Sequence, residues 1–189
     1  MSHKFLSDAN FHLLLNKIDE EFFEKTKEKG CPSCGGKLHK SNYPRSPFGM
    51  PQAFRSLYEE RFSFCCEECR KRKTPPSVRF FGRRWYPGPL FILICLLELG
   101  ISKHRQTQIQ RHFGITISLS TWKRWRSWWQ ESFKETSFWK ITQGIIPLSQ
   151  IYGPFPRAFF KLFQENFEEK MRSLLRFLSP LTISNFQII

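Results

Sequence analysis

Apolar residues recur at helical spacing near the start of the chain, at Phe11, Leu14, Leu15, Ile18 and Phe22, with the acidic cluster Asp19 to Glu24 beside them. The stripe predicts an amphipathic helix that Ser7 can cap and Gly30 ends. From Cys31 to about Tyr86 the helical period disappears. Gly, Pro, Arg and Cys dominate, and short alternating pieces such as Arg61-Phe62-Ser63-Phe64 predict the strands of a small hairpin. After Pro87-Gly88-Pro89 the run from Leu90 to Leu99 is apolar on nearly every side, which predicts a buried helix stopped by Gly100. Two more helical segments follow, about Lys103 to Phe113 and Ser120 to Lys134. Gly114 supplies a sharp turn between them, and Ser118 or Ser120 is placed to cap the second. A Gly/Pro-punctuated connector, Gly144 to Pro156, leads to a last amphipathic helix carrying Phe159, Phe163, Phe167, Met171, Leu174, Leu175 and Leu178 at steps of three and four.

The chain of 189 residues is 40% hydrophobic and includes 21 Phe, 6 Trp and 4 Tyr, which is enough apolar material for folded cores and excludes disorder along the whole length. The first thirty residues are charged throughout, unlike a secretion signal, and the longest apolar run, Leu90 to Leu97, is far shorter than a bilayer span. The expectation is a soluble cytoplasmic protein. Its net charge of +14 is not evenly spread: Arg70 to Lys134 holds 14 basic residues against Glu98 and Glu131, so this window carries +12 of the total. A local excess of that size implies a polyanionic partner, and nucleic acid is the usual one.

Five of the six cysteines fall in two clusters, Cys31-Pro-Ser-Cys34 followed by Gly35-Gly36, and Cys65-Cys66-Glu-Glu-Cys69. Taking Cys66 with Cys69 gives two C-x2-C pairs, each placing two thiolates on a tight turn within reach of one ion. Four soft anionic ligands in a closed tetrahedron favour a single structural zinc on Cys31, Cys34, Cys66 and Cys69. An iron centre has the same ligands, Cys65 can substitute for Cys66, and His39 can replace one thiol. A disulfide framework does not suit a chain without export, nor a thioredoxin-like site one without a βαβ context. Cys95 reads as a core residue, and His3, His12, His104 and His112 as surface or cap residues. The expected fold is thus mainly α with a small β zinc ribbon: an N-terminal helix (1–29), the ribbon (30–86), a three-helix helix-turn-helix unit (87–136), and a connector with a C-terminal helix (137–189).

The ribbon runs directly into Arg70-Lys71-Arg72-Lys73, then Arg79, Arg83 and Arg84, interleaved with Phe80, Phe81, Trp85 and Tyr86. The aromatics are expected to pack against the next helix while the arginines face outward to phosphates. In the segment from Ser120, the residues Trp122, Trp125, Trp129 and Phe133 form one stripe for burial, and Ser120, Lys123, Arg124 and Ser127 share the opposite side. A helix docked by its apolar stripe with basic and hydroxyl residues outward has the layout of a recognition helix in a major groove.

The order CPSCGG, then RFSFCCEECRKR, then TPPSVRFFGRR, then GISKHRQTQIQRHFGITISLSTWKRWRSWW resembles the N-terminal DNA-binding part of bacterial insertion-sequence transposases over about Cys31 to Trp129. The resemblance implies a zinc ribbon followed by a helix-turn-helix, with Cys31, Cys34, Cys66 and Cys69 as ligands, the helix from Ser120 as reader, and double-stranded DNA as partner. The chain departs from the family in having about two extra residues in the turn after Gly114 and no room for the nuclease domain with its three carboxylates. Only two Asp are present, Asp8 and Asp19, both on the first helix, whereas two-metal phosphoryl transfer needs several carboxylates converging from different elements. The expectation is a non-catalytic, transposase-like or accessory protein of a mobile element. Two alternatives stand beside it: an RNA-binding or ribosome-associated zinc-ribbon protein, and a zinc-stabilised protein-interaction module.

Overall fold

The first stripe forms helix α1 (Ala9–Lys29), a 21-residue rod that ends at Gly30 with φ 69°. These features come from a computed structural model that describes residues 4–50, 52–81, 86–96, 102–144, 146, 153–163 and 166–183. Asp8, not Ser7, is the N-cap: its carboxylate accepts the Asn10 amide at 2.9 Å, because Ser7 belongs to a preceding 3-10 turn, Lys4–Ser7. Phe11, Leu15 and Ile18 are buried as the pattern requires.

The cysteine-bearing segment follows with very short strands, β1 (Leu38–Lys40), β2 (Tyr43–Pro44), β3 (Glu60–Arg61), β4 (Phe64–Cys66) and β5 (Arg72–Lys73). β1, β4 and β5 form an antiparallel sheet in that order, and β2 pairs with β3. Within this segment a 3-10 helix, Gln52–Tyr58, lies on α1. It explains why His12, expected at the surface, is buried. Its ring nitrogens bond the Tyr58 hydroxyl and the Leu6 carbonyl, each at 2.9 Å, and the ring stacks on Phe54. Burial holds its pKa below the ordinary value, so it stays neutral.

The helices come next: α2 (Gly88–Cys95), α3 (Lys103–Phe113), α4 (Leu119–Gln130), α5 (Ser132–Glu135), α6 (Ser137–Thr142), α7 (Arg157–Leu162) and α8 (Phe167–Leu178). α2 starts two residues earlier than the apolar run and is capped by Leu96; the expected stop at Gly100 lies outside the described residues. The single C-terminal helix expected from Phe159 to Leu178 is two helices. Phe163 is extended, and the Asn166 side chain accepts the Glu169 amide at 3.0 Å to start α8 afresh. The three-and-four spacing runs on across the break because both helices bury apolar faces in the same core.

That core is continuous from Phe11, Leu15 and Ile18 of α1 through Val78 and Phe81 to α2, α4 and α8. At its centre Phe133 is ringed by Trp128, Trp129, Trp139, Phe155 and Phe159, all with centroids within 5.7 Å. A smaller cluster of Cys31, Leu38, Phe64 and Cys66 lies apart, and α1 reaches it through Phe23, stacked on Phe64 at 4.2 Å. Among the described residues no helix is long and apolar enough to cross a membrane.

A buried polar knot ties α1 to the strand-to-helix passage. Asp19, 0% exposed, accepts the Ser77 hydroxyl, the Val78 amide at 2.7 Å and the Arg79 Nε at 2.8 Å. Arg79, expected to face outward to phosphates, is 2% exposed; its Nη1 donates to the Leu57 carbonyl and its guanidinium lies over Phe62 and Phe80. The correction has a simple cause: the sequence offered one aspartate among exposed glutamates on α1, and Arg79 is its counter-ion. Removing one partner strands a buried charge, so Asp19→Ala should cost about 3–5 kcal/mol in urea unfolding while Glu24→Ala on the same helix changes stability by less than about 0.5 kcal/mol. A loss under about 1 kcal/mol for Asp19→Ala would show that the pair does not hold the passage in place.

Candidate metal centre and basic surface

Antiparallel pairing of β1 with β4 decides the geometry of the cysteines. The first turn, Cys31 to Gly36, opens into β1, and β4 closes at Cys66, the start of the second turn, with Leu38 paired to Cys66. Both turns therefore stand at one end of the sheet, joined by the Glu67 amide on the Lys37 carbonyl at 3.0 Å. The first is closed by the Gly35 amide on the Cys31 carbonyl and the Cys31 amide on the Gly36 carbonyl. Gly36 lies close against the cluster: a Cβ there would sit 3.2 Å from the Cys66 sulfur and 3.3 Å from that of Cys34, tighter than ordinary van der Waals contact.

The sulfurs of Cys31, Cys34, Cys66 and Cys69 all lie within 4.8 Å of one another. The Cys31–Cys69 and Cys34–Cys66 sulfur pairs are 3.5 Å apart, against edges of about 3.8 Å in a tetrahedron with metal–sulfur bonds of about 2.3 Å. Backbone amides two residues on point at the sulfurs: Ser33 at Cys31, Gly36 at Cys34 and Lys71 at Cys69. The Ser33 amide is the main reason that the Cys31 thiol is drawn down to about 6, while the neighbouring sulfurs and burial push the Cys34 and Cys69 thiols up. The cluster can hold a metal ion, and its four-sulfur donor set is consistent with zinc.

The two open alternatives for a ligand lie elsewhere. Cys65 alternates to the other face of β4, where its sulfur approaches the Arg70 carbonyl at 3.5 Å. His39 is exposed and paired with Glu67 at 2.9 Å. Cys95 packs against the large core.

The basic side chains expected to meet nucleic acid are distributed unevenly. Arg70 and Lys71 are exposed and Lys73 is half-buried. Arg72 is exposed but bonded to the Ser41 carbonyl and the Ser63 hydroxyl, with its guanidinium over Tyr43. Arg79 is withdrawn into the knot with Asp19, and Arg83 and Arg84 lie outside the described residues. On the helical side, α3 ends at Gly114 in the left-handed region, φ 66°, and Ser118 caps α4 by accepting the Thr121 amide at 3.0 Å. Ile109, Ile115 and Ile117 are buried around this turn. In α4 Trp122, Trp125, Trp128 and Trp129 are all buried, one more than the expected stripe, and Ser120, Lys123, Arg124 and Ser127 are exposed opposite. The Ser127 hydroxyl is engaged by Glu131 at 3.0 Å. Arg126, which the three-and-four pattern left unplaced, lies exposed over the Trp122 ring at 5.3 Å.

Comparison with known proteins adds no further constraint: no family model, curated protein or solved structure matches the chain. The geometry alone makes a sharp statement about the cysteine doublet. Cys66→Ser should lose the bound metal to a mild chelator while Cys65→Ser retains it, as measured by elemental analysis of the purified variants. The reverse pattern would show that the wrong sulfur has been placed in the cluster.

Proposed function

We propose that the chain is a non-catalytic DNA-binding protein of insertion-sequence transposase type, in which α3 and α4 act as a helix-turn-helix and a zinc-held ribbon contacts the phosphate backbone. The observation that carries the reading is the rotation of α4. Four buried tryptophans pin it, so that Ser120, Lys123 and Arg124 face solvent. No acidic residue occurs between Ser102 and Gln130 to neutralise that surface, while Lys103, Arg105 and Arg111 add to it. A positively charged helix with its register fixed is what groove reading demands: phosphate contacts position the protein and base contacts specify the sequence.

Zinc is the metal favoured by four thiolates at these spacings, and it would act as a structural ion holding the two turns together. The non-catalytic reading is supported by where the two aspartates sit: Asp8 caps α1 and Asp19 is buried against Arg79, so neither is free to bind a catalytic metal.

Duplexes selected from a random pool should converge on a preferred site. On that site Lys123→Ala and Arg124→Ala should each cost about 1–3 kcal/mol in fluorescence anisotropy and little on unrelated duplexes. Failure to select any duplex, with structured RNA competing better than DNA, would replace this reading with an RNA-binding one.

A further inference from the structure

Beside the cysteine cluster the first turn and β5 enclose a pocket of about 170 Å³, lined by Cys31, Pro32, Ser33, Lys71, Arg72, Lys73 and Ile183. We infer that this pocket is a phosphoryl-anion site, which seats one phosphodiester group of bound DNA. The source of the phosphate rests on the DNA-binding reading above; the anion chemistry rests on the pocket itself.

Three observations carry it. First, the lining includes three basic residues and no acidic one. Lys71 and Lys73 are two residues apart on extended backbone and so share a side. Neither ammonium has a hydrogen-bond or ion-pair partner among the described residues, whereas Arg72 is held by Ser41 and Ser63. Second, the pocket is small, about 170 Å³. That suits one tetrahedral anion with some hydration and falls well below the roughly 300–1,000 Å³ of sites for larger organic ligands. Third, the charges balance in favour of an anion. Lys71 and Lys73 offset the formal −2 that four thiolates around a divalent ion would carry, and Arg72, bonded to Ser41 and Ser63, adds a further positive charge nearby. Ser33 offers a hydroxyl at the rim, a donor that the composition of the turn did not single out.

The site also has a structural logic. Lys71 precedes and Lys73 belongs to the strand that leaves the second cysteine turn, and Ser33 sits inside the first, so the pocket is built from both turns. Phosphate binding should therefore depend on the metal without any contact between the two.

The test is amide chemical-shift mapping of the metal-loaded full chain. Inorganic phosphate, titrated at constant ionic strength against chloride, should move the Ser33, Lys71 and Lys73 amides saturably. The Lys71→Gln/Lys73→Gln variant, with its metal content unchanged, should bind phosphate about tenfold more weakly or worse. A short duplex should move the same three amides together with those of Lys123 and Arg124. Duplex-induced shifts confined to α4, with the pocket amides silent, would overturn the pocket while leaving the DNA reading intact. Phosphate shifts in the pocket with no response anywhere to duplex would overturn DNA as the source and, with it, the DNA-binding reading. No saturable response of the pocket to either probe would overturn the inference altogether.

Discussion

Four sulfurs held within 4.8 Å of one another are the constraint on which the cysteine-bearing half depends. Ionised, they repel; protonated, they gain almost nothing from the proximity. The strands around them have two or three residues each, well short of the roughly five to six of a typical strand, and their private apolar cluster amounts to Leu38, Phe64 and the ring of Phe23 besides the cysteines. Gln52–Tyr58, Val78 and Phe81 pack on α1 and the large core, but neither ladder bonds nor burial on the scale of the small cluster offsets the ordering of the two cysteine turns and their strands, at roughly 1–2 kcal/mol per residue. An ion coordinated by four thiolates supplies free energy of the required size, about 10–16 kcal/mol in small zinc-dependent folds, and converts the repulsion into the main stabilising term.

The helical half has the opposite economy. Its core is built from stacked and edge-on aromatic rings around Phe133 and Trp129. The two halves share α1. One side of that helix gives Phe11, Leu15 and Ile18 to the aromatic core; further along, Phe23 reaches the cysteine cluster, and between them Asp19 grips Ser77, Val78 and Arg79. The basic edge on β5 and the basic face on α4 thus belong to two halves that α1 joins.

The sequence was most legible where a local rule decides the outcome. The paired C-x2-C spacing located the cluster, because a turn of that length brings two sulfurs within reach of one ion. The limits of α3 and the cap at Ser118 followed from local signals, Gly114 and the serines before Trp122. The buried polar groups were not legible. Asp19 and Arg79 are sixty residues apart and His12 and Tyr58 forty-six, so each looked like an ordinary surface residue of its own segment. The same limitation hid the break between α7 and α8, where an unbroken apolar period concealed the new start that the Asn166 cap marks. Cys65 and Cys66 differ by one position in β4, and only the pairing of Cys66 with Leu38 tells which face meets the first turn.

The central claim, that a tetrathiolate metal centre organises this half of the chain, is met most directly by X-ray absorption at the metal edge of the protein as purified. The account predicts one ion per chain with four sulfur neighbours at about 2.3 Å and no nitrogen or oxygen shell. An imidazole or oxygen ligand in the first shell, or a folded protein that carries no metal at all, would contradict it.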